Sequence, residues 1–245
     1  MFRKFVMSLF SMLFLGVTLF TYFNIDNEVV LADTAVNGDI VDVAMDSDVD
    51  YEKLIDGYRS EYNNQDIVGR VAILNSDFDK IIVQGSDNSY YLSHDNYGRY
   101  SALGSAFVDS RVDINNARKI LIFGHNTTKR KGVFSMLEEY YDYDYYKEHE
   151  IIALTTDMGG RYYKIFSVYI ETSDWSYMRV DFPSNIDFIK HANMLKDNSF
   201  YDTSVDLSDD DNILILQTCS NHKDYRTYKK KYLLIIAKEM KDFAV

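Results

Sequence analysis

Eight short apolar segments, separated by clusters of Asp, Asn, Gly and Ser, limit how this 245-residue chain can fold more than any other feature. Segments of this length, bounded by turn-forming residues, are typical of β-strands. The chain holds 21 Tyr and 15 Phe but one Pro, which favours sheet over disorder. Because closure removes exposed edges, we expect a mainly β fold built on a closed or nearly closed barrel. The segments are residues 67–73, 80–84, 102–108, 119–124, 150–156, 161–172, 212–218 and 232–238.

Helical patterns occur in three places, one before the strands and two between them. An amphipathic period predicts an N-terminal helix over about 50–63, and a second apolar face predicts a helix over 133–149. Ser184 and Asp187 form a capping box that predicts a third helix over 184–197. This last helix is expected to precede the penultimate strand.

The amino-terminal part of the chain predicts a membrane anchor. Residues 5–23 carry no charge and are about long enough for a helix to cross a hydrocarbon core of ~30 Å. Arg3 and Lys4 precede this stretch and acidic residues follow it, which favours a cytoplasmic amino terminus and an exported body. A cleaved signal peptide is the competing interpretation, because residues 30–32 resemble a small-residue cleavage site.

Three parts of the chain follow from this pattern. We expect residues 1–24 to form a cytoplasmic tip and transmembrane signal-anchor, residues 25–47 an acidic tether, and residues 48–245 the folded catalytic domain. The net charge of −12 argues against nucleic acid, because phosphate binding needs clustered cations. No His or Cys pair has metal-ligand spacing and no dinucleotide fingerprint is present, so we expect no metal and no cofactor.

Two of the apolar segments lead into residues that can carry chemistry. Cys219, the only cysteine, follows the segment 212–218, and His125 follows the segment 119–124. An exported chain with one cysteine cannot form an internal disulfide, so the thiol is intermolecular or free and reactive. A thiol with a nearby imidazole is the minimum for acyl transfer. The alternative is that Cys219 is a small buried core residue.

An acyl-transfer site also needs a hydrogen-bond donor for the oxyanion. Arg226 lies in the polar loop after Cys219, and a guanidinium can hydrogen-bond a developing oxyanion without changing its protonation state. His222, three residues from Cys219, is the rival to His125 as the base.

From about Tyr51 to the C-terminus, the order of these motifs resembles that of the class B sortases. These are membrane-anchored cysteine transpeptidases of Gram-positive bacteria. His125 comes before Cys219 and both stand at strand ends, which makes the resemblance specific. The segments that carry it are DIVGRVAI, VQGSDNSYYLSHD, GSAFVDSR, IFGHN, FSMLEEY and LILQTC.

The resemblance implies an eight-stranded sortase-type β-barrel and a two-step reaction outside the cell. Cys219 would attack the Thr carbonyl of a sorting signal near the C-terminus of a secreted protein, typically of the Asn-Pro-x-Thr-Asn type. An amine of the cell wall, or a pilin lysine, would then resolve the thioacyl enzyme. In this scheme His125 is the general acid/base, the Ser220 backbone N–H assists at the oxyanion, and Thr218 lines the cleft. No metal is implied.

Two positions depart from the family pattern. Gln217 stands where the family usually has Ser, and Tyr232 stands where the family's arginine begins the last strand. The oxyanion donor is therefore open between Arg226, Tyr232 and a lysine of the run 229–231. We predict Arg226 as the donor and Tyr232 as a substrate contact.

Two other functions fit the same residues. One is an exported cysteine peptidase that hydrolyses wall peptides, although the common wall peptidases have Cys before His. The other is a non-catalytic, anchored barrel that has lost its oxyanion donor.

Overall fold

The predicted strands pair into one closed β-barrel. A computed structural model describes residues 49–127, 132–173 and 175–241. Its strands are β1 (Ile67–Ile73), β2 (Asp79–Val83), β3 (Ala106–Val108), β4 (Lys119–Phe123), β5 (Ile151–Thr156), β6 (Gly159–Glu171), β7 (Ile213–Cys219) and β8 (Tyr232–Glu239). Around the barrel they follow the order β1-β2-β3-β4-β7-β8-β6-β5. The predictions of a mainly β fold and of an eight-stranded barrel are therefore confirmed.

Along the described parts of the chain, three α-helices and several short 3₁₀ helices precede or connect the barrel strands. They are α1 (Tyr51–Tyr62), α2 (Tyr143–Glu148) and α3 (Asn185–Asp197), with short 3₁₀ helices at Tyr90–Leu92, Ser135–Tyr141, Ser176–Met178 and Lys223–Tyr225. Asp50 caps α1 by accepting a hydrogen bond from the Lys53 N–H at 3.0 Å. Ser184 caps α3 in the same way through the Asp187 N–H at 3.1 Å. The predicted N-terminal helix and the long helix before the penultimate strand are both confirmed.

The helix predicted over 133–149 is wrong as one element. A 3₁₀ helix, Ser135–Tyr141, is followed by α2, and Asp142 between them has an extended backbone (φ −95°, ψ 127°). The Asp142 carboxylate accepts hydrogen bonds from the N–H groups of Asp144 and Tyr145. An aspartate that caps the next helix competes with continuation of the previous one, so the apolar face continues while the helix breaks.

The strand predicted over 102–108 is shorter than expected. Only Ala106–Val108 pairs in the sheet, and Gly104 has the left-handed φ of 60°. Because a left-handed residue cannot continue a strand, the preceding residues form a turn.

The neighbouring strands β4 and β7 run parallel and are buried on both sides. Residues 120–123 and 213–216 are all buried. Alternate side chains belong to different hydrophobic clusters, because successive strand residues face opposite ways. One of these clusters contains Phe188 and Leu195 of α3. The continuous apolar runs in the sequence therefore mark strands that are covered on both faces.

The predicted anchor and tether, residues 1–24 and 25–47, lie outside the described residues. Among the helices that the structure describes, none combines the length and apolar character needed to cross a bilayer.

Candidate active site

The carboxyl ends of β4 and β7 bring the two chemistry-bearing residues to one edge of the barrel. Phe123 is aligned with Gln217 in the parallel register, and the Gly124 N–H donates to the Gln217 carbonyl at 3.1 Å. One residue beyond His125, the Asn126 side-chain amide donates to the Cys219 carbonyl at 3.0 Å. Hydrogen bonds on both sides of His125 thus tie its segment to the strand that ends in Cys219.

Close packing beneath His125 explains the glycine before it. A Cβ on Gly124 would lie 2.5 Å from the nearest atom of the Phe134 ring, so only glycine fits. The Phe134 ring is fully buried, and its backbone N–H donates to the His125 carbonyl at 2.9 Å. The residue after β4 is therefore held by packing as well as by hydrogen bonds.

Cys219 is the exposed end of an otherwise buried strand. It is aligned with Tyr232 at the start of β8. Shielding by neighbouring protein raises the pKa of the thiol, and the charge of Lys231 opposes this effect in part. The thiol is accessible, unlike the buried core residue of the alternative interpretation, and it is mostly protonated at neutral pH.

His125 is half-buried, and its ring has one hydrogen-bond partner among the described residues. Its Nε2 lies 2.8 Å from the Leu92 carbonyl oxygen. A carbonyl only accepts hydrogen bonds, so Nε2 carries the proton and donates. The other ring nitrogen, Nδ1, is then the one that can accept a proton.

Two residues expected at the cleft are occupied elsewhere. Thr218 is buried, and its hydroxyl donates to the Gly124 carbonyl at 2.7 Å, so it joins the two strands. The Ser220 N–H donates to the Lys231 carbonyl at 3.1 Å, so it is not free for an oxyanion in this structure. Both residues beside the strand end make hydrogen bonds that close the sheet, and their roles at the cleft stay predictions.

The three candidate oxyanion donors occupy different places. Arg226 ends the 3₁₀ helix Lys223–Tyr225, is exposed, and makes no ion pair with a described residue. Tyr232 stands opposite Cys219, and burial followed by the nearby thiol raises its pKa, so it remains a neutral hydroxyl. Lys231 is the cation whose charge acts on the Cys219 thiol.

His222, the rival base, packs between two aromatic rings. Its ring centroid lies 4.7 Å from that of Tyr141 and 5.6 Å from that of Tyr225. Its Nδ1 accepts a hydrogen bond from the Asp224 N–H at 3.3 Å. This aromatic and backbone setting holds the imidazole within the loop after β7.

Three residues that contact the candidate site residues or Gln217 could not be predicted from the sequence. The buried Tyr177 donates its hydroxyl to the Gln217 side chain at 3.0 Å, and Trp175 places its ring centroid 5.1 Å from that of Tyr232. Leu92 supplies the carbonyl that binds His125. These residues lie on distant segments, so no local pattern links them to Cys219. Only the uniqueness of Trp175 in the chain could have drawn attention to it.

No cluster of three or more His, Cys, Asp or Glu side chains in the described parts of the chain has a geometry that could hold a metal ion.

The fold and the site together define a class of protein: a barrel enzyme with a cysteine and a histidine at one edge of two parallel strands. Residues 72–239 match the Sortase domain family. The sortase B of Listeria monocytogenes is 30% identical in an alignment that covers 91% of this chain and 93% of that protein. The chain therefore belongs to the sortase family, in class B, and it is a cysteine transpeptidase.

Solved structures agree with this assignment. The Staphylococcus aureus sortase B–substrate complex superimposes with a TM-score of 0.69 at 25% identity, covering 77% of this chain and 85% of that one. A sortase B complexed with triglycine gives a TM-score of 0.66 at 25% identity, covering 78% and 95%. The non-catalytic barrel and the wall peptidase are not favoured.

Proposed function

We propose that Cys219 is the nucleophile and His125 the general acid/base of this transpeptidase. One observation carries the proposal: hydrogen bonds from Gly124 and Asn126 hold the ends of β4 and β7 together, so both side chains leave the barrel at the same edge. A strand end on a rigid barrel fixes the two groups without a flexible loop between them.

The protonation states suit a proton transfer coupled to attack. The thiol has a raised pKa and starts protonated, while the Nε2–H of His125 is held by Leu92. Nδ1 would take the thiol proton as Sγ bonds to the substrate carbonyl carbon. The same proton would pass to the leaving amine when the peptide C–N bond breaks, leaving a thioester on Cys219.

The substrate is proposed to be a C-terminal sorting signal of a secreted protein, of the Asn-Pro-x-Thr-Asn type and cleaved after Thr. The acceptor is proposed to be an amine of the cell wall or of a pilin. Structures of relatives support both halves: one sortase B was solved as a substrate complex and another with triglycine. A triglycine offers a free α-amine, the nucleophile that the second step needs.

A cation of the loop after β7 is proposed to stabilise the oxyanion. Arg226 is uncommitted to any ion pair in the described chain, and its charge is permanent. Lys231 is the alternative, because its charge already acts on the thiol. If Arg226 is the donor, Arg226→Ala lowers kcat far more than Lys231→Ala or Tyr232→Phe, with little change in KM. The reverse order of effects rejects Arg226.

The catalytic domain, residues 48–245, is proposed to act outside the cell on a single-pass anchor formed by residues 5–23. The uncharged stretch and the cations before it support this proposal. Deleting residues 1–24 should release the enzyme from the membrane fraction. An enzyme that stays in that fraction after the deletion would contradict the anchor.

Product analysis tests the central proposal. The full-length chain is incubated with a fluorescent Asn-Pro-x-Thr-Asn peptide, with and without triglycine, and the products are resolved by mass spectrometry. We expect a transfer product that requires triglycine, and none with Cys219→Ala. Cleavage by Cys219→Ala at near wild-type rate would remove the nucleophile assignment, and hydrolysis alone in the presence of triglycine would remove the acceptor assignment.

A further inference from the structure

We propose that the backbone carbonyl of Leu92 is a positioning group for His125. It accepts the Nε2–H at 2.8 Å and so assigns proton exchange with the thiol to Nδ1. An imidazole that is free to rotate or to change tautomer presents its basic nitrogen to the thiol only part of the time, so a fixed acceptor raises turnover. The inference rests on the proposed role of His125 as general acid/base.

The residue before Leu92 anchors the turn in the protein. Tyr91 is 1% exposed, and its hydroxyl donates to the Asp66 carboxylate at 2.7 Å. The Asn64 side-chain amide donates to the same hydroxyl at 3.0 Å. A buried ring with a satisfied hydroxyl fixes the backbone on which the Leu92 carbonyl stands.

Hydrogen bonds also fix the two sides of this turn. The Asp87 carboxylate accepts from the N–H groups of Ser89 and Tyr90 at 2.6 and 2.9 Å. On the other side, the Ser105 N–H donates to the Tyr91 carbonyl at 3.0 Å. The short helix Tyr90–Leu92 is thus tied to the start of β3, and the carbonyl is directed by the scaffold.

Gly104 allows the close approach that this arrangement needs. With its φ of +60°, a Cβ at this position would lie 2.4 Å from the Tyr91 carbonyl oxygen and 2.9 Å from that of Leu92. Both distances are too short, and both contacts are with backbone, which cannot rotate away as a side chain can. An alanine at 104 must therefore move the Leu92 carbonyl.

The positioning group is a neutral carbonyl. Among the described residues no carboxylate forms an ion pair with His125. A neutral acceptor fixes which nitrogen carries the proton and places no negative charge beside the ring.

Gly104→Ala and Gly98→Ala make a matched pair for the test. Gly98 lies in the same loop with φ +70°, but a Cβ there would meet only the Tyr90 hydroxyl, at 3.6 Å. Both variants carry the same kind of backbone strain. Only the alanine at 104 pushes on the Leu92 carbonyl.

Kinetics and nitrogen NMR are measured on the full-length chain in detergent. His125 is labelled with ¹⁵N and assigned by the signals lost in His125→Gln. We expect the wild type and Gly98→Ala to carry the neutral-state proton on Nε2, and Gly104→Ala to give a tautomer mixture. In Gly104→Ala, kcat should fall roughly 10- to 100-fold, part of the usual contribution of a general acid/base, with KM within about twofold.

Three results overturn the inference. In the wild type, a neutral His125 with its proton on Nδ1 would reject the role of the Leu92 carbonyl. This result needs no variant, so the test remains decisive even if Gly104→Ala folds poorly. Equal kinetic losses in both glycine variants would assign the effect to strain. An unchanged tautomer with reduced kcat in Gly104→Ala would also reject it. A failure of the proposed function would give a different result, because His125→Gln would then retain wild-type turnover.

Discussion

The two ends of β4 show how one strand supports two opposite uses of a basic side chain. Lys119 begins the strand and is 1% exposed. Its ammonium lies 2.5 Å from the Tyr177 carbonyl, 2.9 Å from the Arg179 carbonyl and 2.7 Å from Nε2 of His191. His125 follows the other end and is half-buried. Among the described residues its ring has one hydrogen-bond partner, the backbone carbonyl of Leu92.

The two ends differ in how many of their side-chain nitrogen sites have hydrogen-bond partners. Burial drives the pKa of Lys119 well below its ordinary value, and the charges of Arg111 and Arg179 act in the same direction. The acceptors around Lys119 are used to hold the segment around Tyr177, whose hydroxyl reaches Gln217 beside the thiol. His125 keeps one ring nitrogen for proton exchange. We infer that the buried end maintains the site's shape while the open end carries its chemistry.

The largest expected effect is on the open end. His125→Gln should lower kcat/KM about 10²- to 10⁴-fold, the usual contribution of a general acid/base, and leave the free energy of unfolding within about 0.5 kcal/mol. Steady-state kinetics and urea unfolding measure the two quantities. His222→Gln is the matched control and should stay within about twofold of wild type. If the two variants lose equal activity, the comparison of the ends no longer holds.

The buried end should respond in stability. Lys119→Ala removes the donor from the Tyr177 carbonyl in a buried contact and from the Arg179 carbonyl in a part-buried one, and a buried group left without its partner costs about 1–3 kcal/mol. We expect a loss of roughly 3 kcal/mol in the free energy of unfolding by urea titration. Lys190→Ala, on the exposed face of α3, should change it by less than about 0.5 kcal/mol. A Lys119→Ala variant as stable as Lys190→Ala would show that the buried contacts add nothing.

The same end should make stability depend on pH. Burial, with the charges of Lys119 and Arg179, lowers the pKa of His191 to about 3. Below about pH 6.5 the unfolded state takes up a proton on His191 that the folded state does not, so stability falls as pH drops toward 3. One such group contributes a slope of up to about 1.4 kcal/mol per pH unit. Urea titrations between about pH 7 and 4 should show a shallower slope for His191→Gln, and parallel slopes would refute the burial of a neutral imidazole.

The smallest expected effect concerns the thiol. Because Lys231 lowers the raised pKa of Cys219, Lys231→Gln should raise that pKa further and reduce the thiolate fraction at neutral pH. Charge interactions near the surface are worth about 0.2–1 kcal/mol, so alkylation by iodoacetamide should slow roughly two- to fivefold. Lys229→Gln, an exposed neighbour, serves as the control. Faster alkylation of Lys231→Gln than of wild type would reverse the sign and reject this electrostatic account.

Most strand positions could be predicted from the sequence because each barrel strand is a short apolar run between polar residues. The run 212–218 is bounded by polar residues and is mostly buried on both faces, so its pattern is unambiguous. The errors occur where a local competitor acts. Asp142 caps one helix and ends another, and Gly104 turns the chain before β3. Each competitor is visible in the sequence, but its effect depends on neighbours that the local pattern does not contain.

For the site residues, too, the local pattern predicts which residues are candidates but not which partners they contact. Cys219 and His125 could be chosen as candidates because each follows an apolar run. The hydrogen bonds of Thr218 to Gly124 and of Ser220 to Lys231 could not be predicted in the same way. Hydrogen-bond partners across a sheet depend on strand register, and register between distant strands is not written in either strand alone.

The sequence by itself determined the strands, the candidate thiol and imidazole, and the family, because local periodicity and motif order carry these. Tertiary structure alone decided that β4 and β7 are parallel neighbours, that Leu92 meets His125, and that Lys119 is buried against His191. The physical reason is that such contacts join segments tens of residues apart, and closure of the whole barrel selects them together. No short stretch of chain contains enough of the contact energy to select its own partner.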